Sequence, residues 1–276
     1  MLFKKPPEPE EFYIGYHARS PVEYKKFIRL VIFALLVVMY FTISFTVTNQ
    51  RGFSAGIYQK DKLTELQGVL VADPFPAIRT FYGKDLYGNP TVKTIPLVNY
   101  GKFGADPIIQ NVAAGNNGQL ADLWVKLRGK LIYRKGVALL ELAEKEKSIL
   151  QVRQATKQER NDVSAPVITV MDSVTLQGQI IDPKCYFGVM KPGEGKPHSD
   201  CAIRCIAGGI QPMLMIRNRK GEESFFILRD TAGRALNNEI LSFVGFPVLV
   251  KGNLTKVDDW WVLHSDPSTQ IALLHQ

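Results

Sequence analysis

Hydrophobic positions along this chain follow two different rules. Leu30 to Gln50 is an uncharged run of 21 residues, LVIFALLVVMYFTISFTVTNQ. Wound as a helix at about 1.5 Å per residue it reaches about 31 Å, the thickness of a bilayer's hydrocarbon core, so a transmembrane helix is expected over 30–50. The run is too long and starts too late for a cleaved signal peptide, and Ser54-Ala55-Gly56 makes a poor cleavage site. Beyond it the apolar residues form short, strand-like runs broken by turn residues, which predicts a mainly β fold.

Those runs contain a duplication. Leu66-Gln67-Gly68-Val-Leu70-Val-Ala-Asp73-Pro74 is echoed by Leu176-Gln177-Gly178-Gln-Ile180-Ile-Asp182-Pro183, and Val125-Lys-Leu127-Arg-Gly129-Lys-Leu131 by Val248-Leu-Val250-Lys-Gly252-Asn-Leu254. In each copy the second marker leads through a tight turn into a closing apolar strand, beginning at Val137 or at Trp260. A strand, a variable connection, a strand ending in x-Gly-x-Leu, a turn and a closing strand is the order of small five-stranded barrels of the oligonucleotide- or oligosaccharide-binding (OB) type. The glycines fall where a barrel strand must bend. The expected organisation is a tail over 1–29, the transmembrane helix over 30–50, a first OB-like barrel over 60–152, a linker over 153–171 and a second OB-like barrel over 172–276.

Charge adds an orientation. Lys4, Lys5, Arg19, Lys25, Lys26 and Arg29 precede the apolar run, and only Arg51, Lys60 and Lys62 follow it within a comparable distance. The positive-inside rule then leaves the N-terminus in the cytoplasm and sends residues 51–276 across the membrane, into the periplasm if the membrane is a bacterial inner one. Phe27, Tyr40 and Phe53 are candidate interfacial anchors. The proline-rich start of the tail should be extended, and Phe12, Tyr13 and Tyr16 are expected to dock on the membrane face or on a neighbouring subunit. Of the net charge of +8, the first 29 residues hold +2, and the remaining +6 is spread over a long domain without a dense cluster. That argues against nucleic acid and for anionic lipid headgroups or an acidic protein partner.

The candidate chemistry is concentrated in one insert, 182–210, which holds all three cysteines and one of the four histidines. Pro192, Gly193, Gly195 and Pro197 predict turns. Ser199, as N-cap, predicts a short helix through Cys201 and Cys205 that ends at Gly208-Gly209. Both thiols then face one way, with His198 at the helix entrance. As a metal site, Cys201, Cys205 and His198 offer soft sulfur and borderline nitrogen to copper or zinc, with Cys185 or Met190 completing four ligands. In its ligands alone this resembles copper-delivery proteins of the oxidase-assembly type. As a disulfide, Cys185 pairs with Cys201 or Cys205, closing a loop of about 15 to 20 residues worth on the order of 3 kcal/mol, as an oxidising compartment permits. Thiol exchange at Cys201 and Cys205 is a third reading, without the Cys-x-x-Cys spacing that usually marks it.

Asp182 is expected to accept hydrogen bonds from the insert's backbone, and Lys184 or Lys196 either to depress a thiol pKa or to do ordinary loop chemistry. Met213, Met215, Trp260 and Trp261 read as core. No Cys-x-x-Cys-His haem motif, no Gly-Lys-Ser/Thr phosphate loop and no Ser/His/Asp or paired-carboxylate arrangement stands out, which argues against an enzyme of those classes.

The string Gly178-x-Ile180-x-Asp182-x-Lys184-Cys185, Met190-x-Pro192-Gly193-x-Gly195, His198-x-x-Cys201-Ala202-x-x-Cys205-Ile206-x-Gly208-Gly209-Ile210 resembles a family of membrane-anchored bacterial proteins. More distantly, it is similar to small secreted OB-like proteins. The resemblance takes in Phe12-Tyr-Ile-Gly-Tyr16 and Gly129-x-Leu-Ile-Tyr133-Arg134, and it implies the anchored-barrel architecture rather than an activity. The function expected is that of a non-enzymatic, single-pass inner-membrane protein whose periplasmic barrels serve as accessory subunit or assembly factor of an electron-transfer complex. The alternative is periplasmic copper or zinc binding and delivery, or thiol-redox chemistry.

Overall fold

In the computed structural model, residues 22–49, 56–120 and 122–274 are described, so Phe12, Tyr13, Tyr16 and Phe53 lie outside the described residues. The chain divides into Met1–Gly52 and Phe53–Gln276. In the first unit, helix α1 covers Val22–Asn49, and its Tyr24–Thr48 stretch is long and apolar enough to cross a membrane. The helix begins before the apolar run because Glu23, Lys25, Lys26 and Arg29 are themselves good helix formers. Thr42, Thr46 and Thr48 donate their hydroxyls to the carbonyls of Val38, Thr42 and Ser44, each at 2.8 Å. A helix surrounded by lipid would otherwise leave those hydroxyls unsatisfied.

The second unit holds both barrels. The first contains β2 (Thr64–Val71), β3 (Ala77–Lys84), β4 (Pro90–Asn99), helix α2 (Asp106–Ala114), β5 (Leu123–Arg134) and β6 (Val137–Leu142), with β1 (Ile57–Tyr58) and β7 (Ile149–Gln154) paired along β5. Its ring closes as β2-β3-β4-β6-β5 and back to β2, and β4–β6 is parallel. The second contains β8 (Ile168–Ile181), helix α4 (Ser199–Ala207), β9 (Met213–Arg217), β10 (Glu223–Arg229), β11 (Pro247–Val257) and β12 (Trp260–His264), with β13 (Ile271–Leu273) on β11. It closes as β8-β9-β10-β12-β11 and back to β8, and β10–β12 is parallel. Counted within its own barrel, each ring reads 1-2-3-5-4-1, the connectivity of an OB-like barrel.

The duplicated glycines show why the echo exists. A Cβ on Gly68 or Gly178 would strike the carbonyl of Arg79 or Met215 on the second strand of its barrel. One on Gly129 or Gly252 would strike the carbonyl of Glu141 or His264 on the fifth. The four positions are the places where neighbouring backbones approach too closely for any side chain.

Between the barrels, the polar stretch expected as linker forms helix α3 (Lys157–Asp162). Thr156 Oγ1 accepts from the Glu159 amide at 3.2 Å and Glu159 accepts from the Thr156 amide at 2.8 Å, a complete capping box.

Each barrel has its own core. In the first, Ile108 and Ile109 of α2 pack with Leu70, Ile78, Leu97 and Leu127; in the second, Ala202 and Ile206 of α4 pack with Ile180, Leu214, Val248 and Leu263. A third cluster joins Phe75, Val98, Ile132 and Leu139 of the first barrel to Tyr186, Phe187, Met213, Phe225 and Trp260 of the second, so the barrels share a seam.

Ion pairs border the seam. Arg79 donates to both oxygens of Asp258, at 2.8 and 3.2 Å, and Arg134 to both oxygens of Glu223, each at 2.7 Å. Burial would raise the Glu223 pKa, but the hydrogen bonds and charge of Arg134 outweigh it and hold the carboxyl at about 2.

This depressed value makes the seam acid-sensitive. The pair stabilises fully above the ordinary glutamate value of 4.5 and loses its contribution as the pH falls toward about 2. The melting temperature should therefore drop between those pH values. Glu223→Gln should cost about 3–5 kcal/mol at neutral pH, because it takes the opposite charge away from the buried guanidinium. The variant's acid profile, followed by calorimetry, should be correspondingly flatter.

Candidate metal centre

The cysteine insert occupies residues 182–212, between β8 and β9, where the first barrel connects its equivalent strands with residues 72–76 alone. Asp182 starts it. Its Oδ1 accepts the Lys184 amide at 2.9 Å, as expected of it, and its carbonyl accepts the Tyr186 amide at 3.0 Å. Together these wind residues 185–189 into a wide turn, closed by the Met190 amide on the Cys185 carbonyl at 3.2 Å. After a 3-10 turn, Lys196–His198, comes α4. His198 rather than Ser199 is its N-cap; the Ser199 hydroxyl donates back to the Lys196 carbonyl at 2.9 Å. The helix stops where expected, at Gly208, and Gly209 follows with φ 99°.

This path brings five side chains together as two overlapping triads. The sulfurs of Cys185, Cys201 and Cys205 lie within 4.8 Å of one another, and so do donor atoms of Asp182, Cys185 and His198. All three cysteines are free. Neither Cys185–Cys201 nor Cys185–Cys205 is bonded, which would require sulfurs about 2.05 Å apart. Asp182, Cys185, His198 and Cys205 are at most 4% exposed, and Cys201 is half-buried.

Two atoms in this cluster lack hydrogen-bond partners. Asp182 Oδ2 and His198 Nε2 are buried and unpaired among the described residues. A buried polar atom left unpaired costs about 1–3 kcal/mol, so each such atom calls for a partner. Burial lowers the His198 pKa against the pull of Asp182, with Lys102 adding to the lowering, so the ring is neutral near pH 7 and keeps a lone pair. The Cys185 thiol is pushed far up by the neighbouring Cys205 thiol, by burial and by the charge of Asp182. It becomes a thiolate only when a cation takes the proton's place.

The expected tetrad Cys185, His198, Cys201 and Cys205 does not form one group. His198 falls instead with Cys185 and with Asp182, a residue expected only to accept from the insert's backbone. Met190 is exposed, and Met213, Met215 and Trp260 are core as expected. Lys184 departs from expectation: its ammonium crosses the seam to Glu141 Oε1 at 2.7 Å and to the carbonyls of Asn99 and Gly101 at 2.8 and 2.6 Å.

The insert is wedged into the seam rather than displayed on the surface. Tyr186 and Phe187 are among the largest fully buried side chains, the Phe187 and Phe225 rings meet edge to face at 4.8 Å, and the Arg134 guanidinium lies 4.5 Å from the Tyr186 ring centre. The Gly104 amide donates to the Gly208 carbonyl at 3.0 Å, tying the end of α4 to the first barrel.

No family model and no curated protein matches the chain.

Two outcomes follow from this burial. A thiol-alkylating reagent applied to the native protein at pH 8 should label Cys201 first, and Cys185 and Cys205 only after denaturation; peptide mapping would read this directly. Lys184→Met should lower stability by about 3–5 kcal/mol by leaving Glu141 buried without its cation, measured as a shift in the unfolding midpoint.

Proposed function

We propose that this chain is a non-enzymatic, membrane-anchored protein that holds a copper or zinc ion in its 182–210 insert, as an accessory subunit or assembly factor of an electron-transfer complex. The observation that carries this reading is the buried cluster itself: three unbridged sulfurs within 4.8 Å of one another, beside an aspartate oxygen and an imidazole nitrogen that have no partner among the described residues. Sulfur donors suit copper(I) and zinc, and imidazole suits both metals. So deep a site exchanges its ion only when the seam opens, which fits a resident ion better than a cargo passed quickly to a partner.

The placement is a bacterial inner membrane. The basic residues before the apolar run of α1 favour a cytoplasmic N-terminus and periplasmic barrels. Phe12, Tyr13 and Tyr16 would then meet lipid or a neighbouring membrane subunit from the cytoplasmic side.

Elemental analysis and thiol counting on the full chain, purified in mild detergent, test the metal reading. Stoichiometric copper or zinc, with three thiols titrating once a chelator has removed it, is the expected result. One titratable thiol and no metal would mean that a disulfide occupies the site instead. Cys185→Ser should cut bound metal at least tenfold. A stable lone monomer in mild detergent, with nothing copurifying, would count against the subunit role.

A further inference from the structure

Resting on the metal-binding reading, the geometry points to two ions rather than one: we propose a two-ion cluster bridged by the Cys185 sulfur. An outer ion is held by Cys185, Cys201 and Cys205, and an inner ion by Asp182, Cys185 and His198.

Two donors on opposite sides of one ion, each bonded at about 2.0–2.3 Å, are at most about 4.6 Å apart. Each triad, with its donors within 4.8 Å of one another, is of the size one ion can gather. The five donors do not make one such group; they resolve into two triads that share Cys185 alone. One ion in the sulfur triad would leave Asp182 Oδ2 and His198 Nε2 as unpaired as before. One ion in the other triad would leave two converging sulfurs unused. Two ions engage all five residues.

Donor chemistry agrees with this. The three-sulfur position is soft and suits copper(I), whereas the oxygen, nitrogen and sulfur of the inner position suit zinc. Of the five residues only Cys201 is part-exposed, so the outer position lies nearer to solvent than the inner one.

The test counts ions on the full chain in detergent, reduced and stripped of metal under anaerobic conditions. Zinc(II) alone, copper(I) alone and the two in sequence are added, and occupancy is read by native mass spectrometry. Two bound ions are expected in the wild type. His198→Gln and Asp182→Asn should each leave one ion, with the copper–thiolate absorbance of the outer position retained, and Cys201→Ser should leave one ion without that absorbance. Saturation of the wild type at one ion would overturn the bridged pair while leaving the metal-binding function standing. Saturation at zero would remove both. The wild-type count decides the matter even if a variant does not fold.

Discussion

The seam depends on one desolvated ammonium group. Lys184 Nζ is buried between the barrels and meets three acceptors, Glu141 and the carbonyls of Asn99 and Gly101, so each of its three protons has a place to go. Glu141 also accepts the Tyr58 hydroxyl at 2.6 Å, and burial together with this carboxylate pushes the Tyr58 phenol well above its usual value. A buried charge is tolerated only when its hydrogen bonds are complete, so the second barrel has little freedom to shift against the first. Asp182 lies two residues before Lys184 and Cys185 directly after it. The clamp on the lysine therefore also fixes the donors.

The duplication explains what the second barrel added. Both rings close with the same glycine approaches, and each barrel receives a helix into its core. In the first that helix comes between the third and fourth strands; in the second it comes from the connection between the first and second. In OB barrels that connection is one of those that reach outward for ligands. Here it has lengthened, turned inward and filled the joint with Tyr186 and Phe187. The cluster that could hold a metal thus lies in the joint, and the fixed positions of its donors come from the seam.

Much of the fold was legible in the sequence because its signals are local or repeated. An uncharged run announced α1, and the paired x-Gly-x-Leu strands announced two barrels because close backbone approach leaves a glycine that can be read directly. The cysteine helix was legible down to its Gly208 stop. What escaped was non-local or lacked periodicity. Helix α3 is short and none of its residues is buried, so only the Thr156–Glu159 spacing marked it. Strand β8 starts early because residues 168–170 pair with Val257, Lys256 and Thr255 of β11, and residues 168–173 are exposed on both faces, so no alternation marked them. The role of Asp182 as a third donor beside Cys185 and His198 depends on a wide turn that has no sequence signature. The partner of Lys184 is 43 positions away in the other barrel, beyond any local pattern.

The seam also bears on how the chain comes into being. Synthesis delivers the first barrel complete to Gln154, yet its apolar patch of Phe75, Ile132 and Leu139 stays uncovered until the second barrel has been made as far as Trp260, whose ring meets Phe75. At roughly 5–20 residues per second this leaves a pause of about five to twenty seconds in which a nearly finished domain carries a sticky flank. During that interval the nascent polypeptide is open to chaperones and proteases alike.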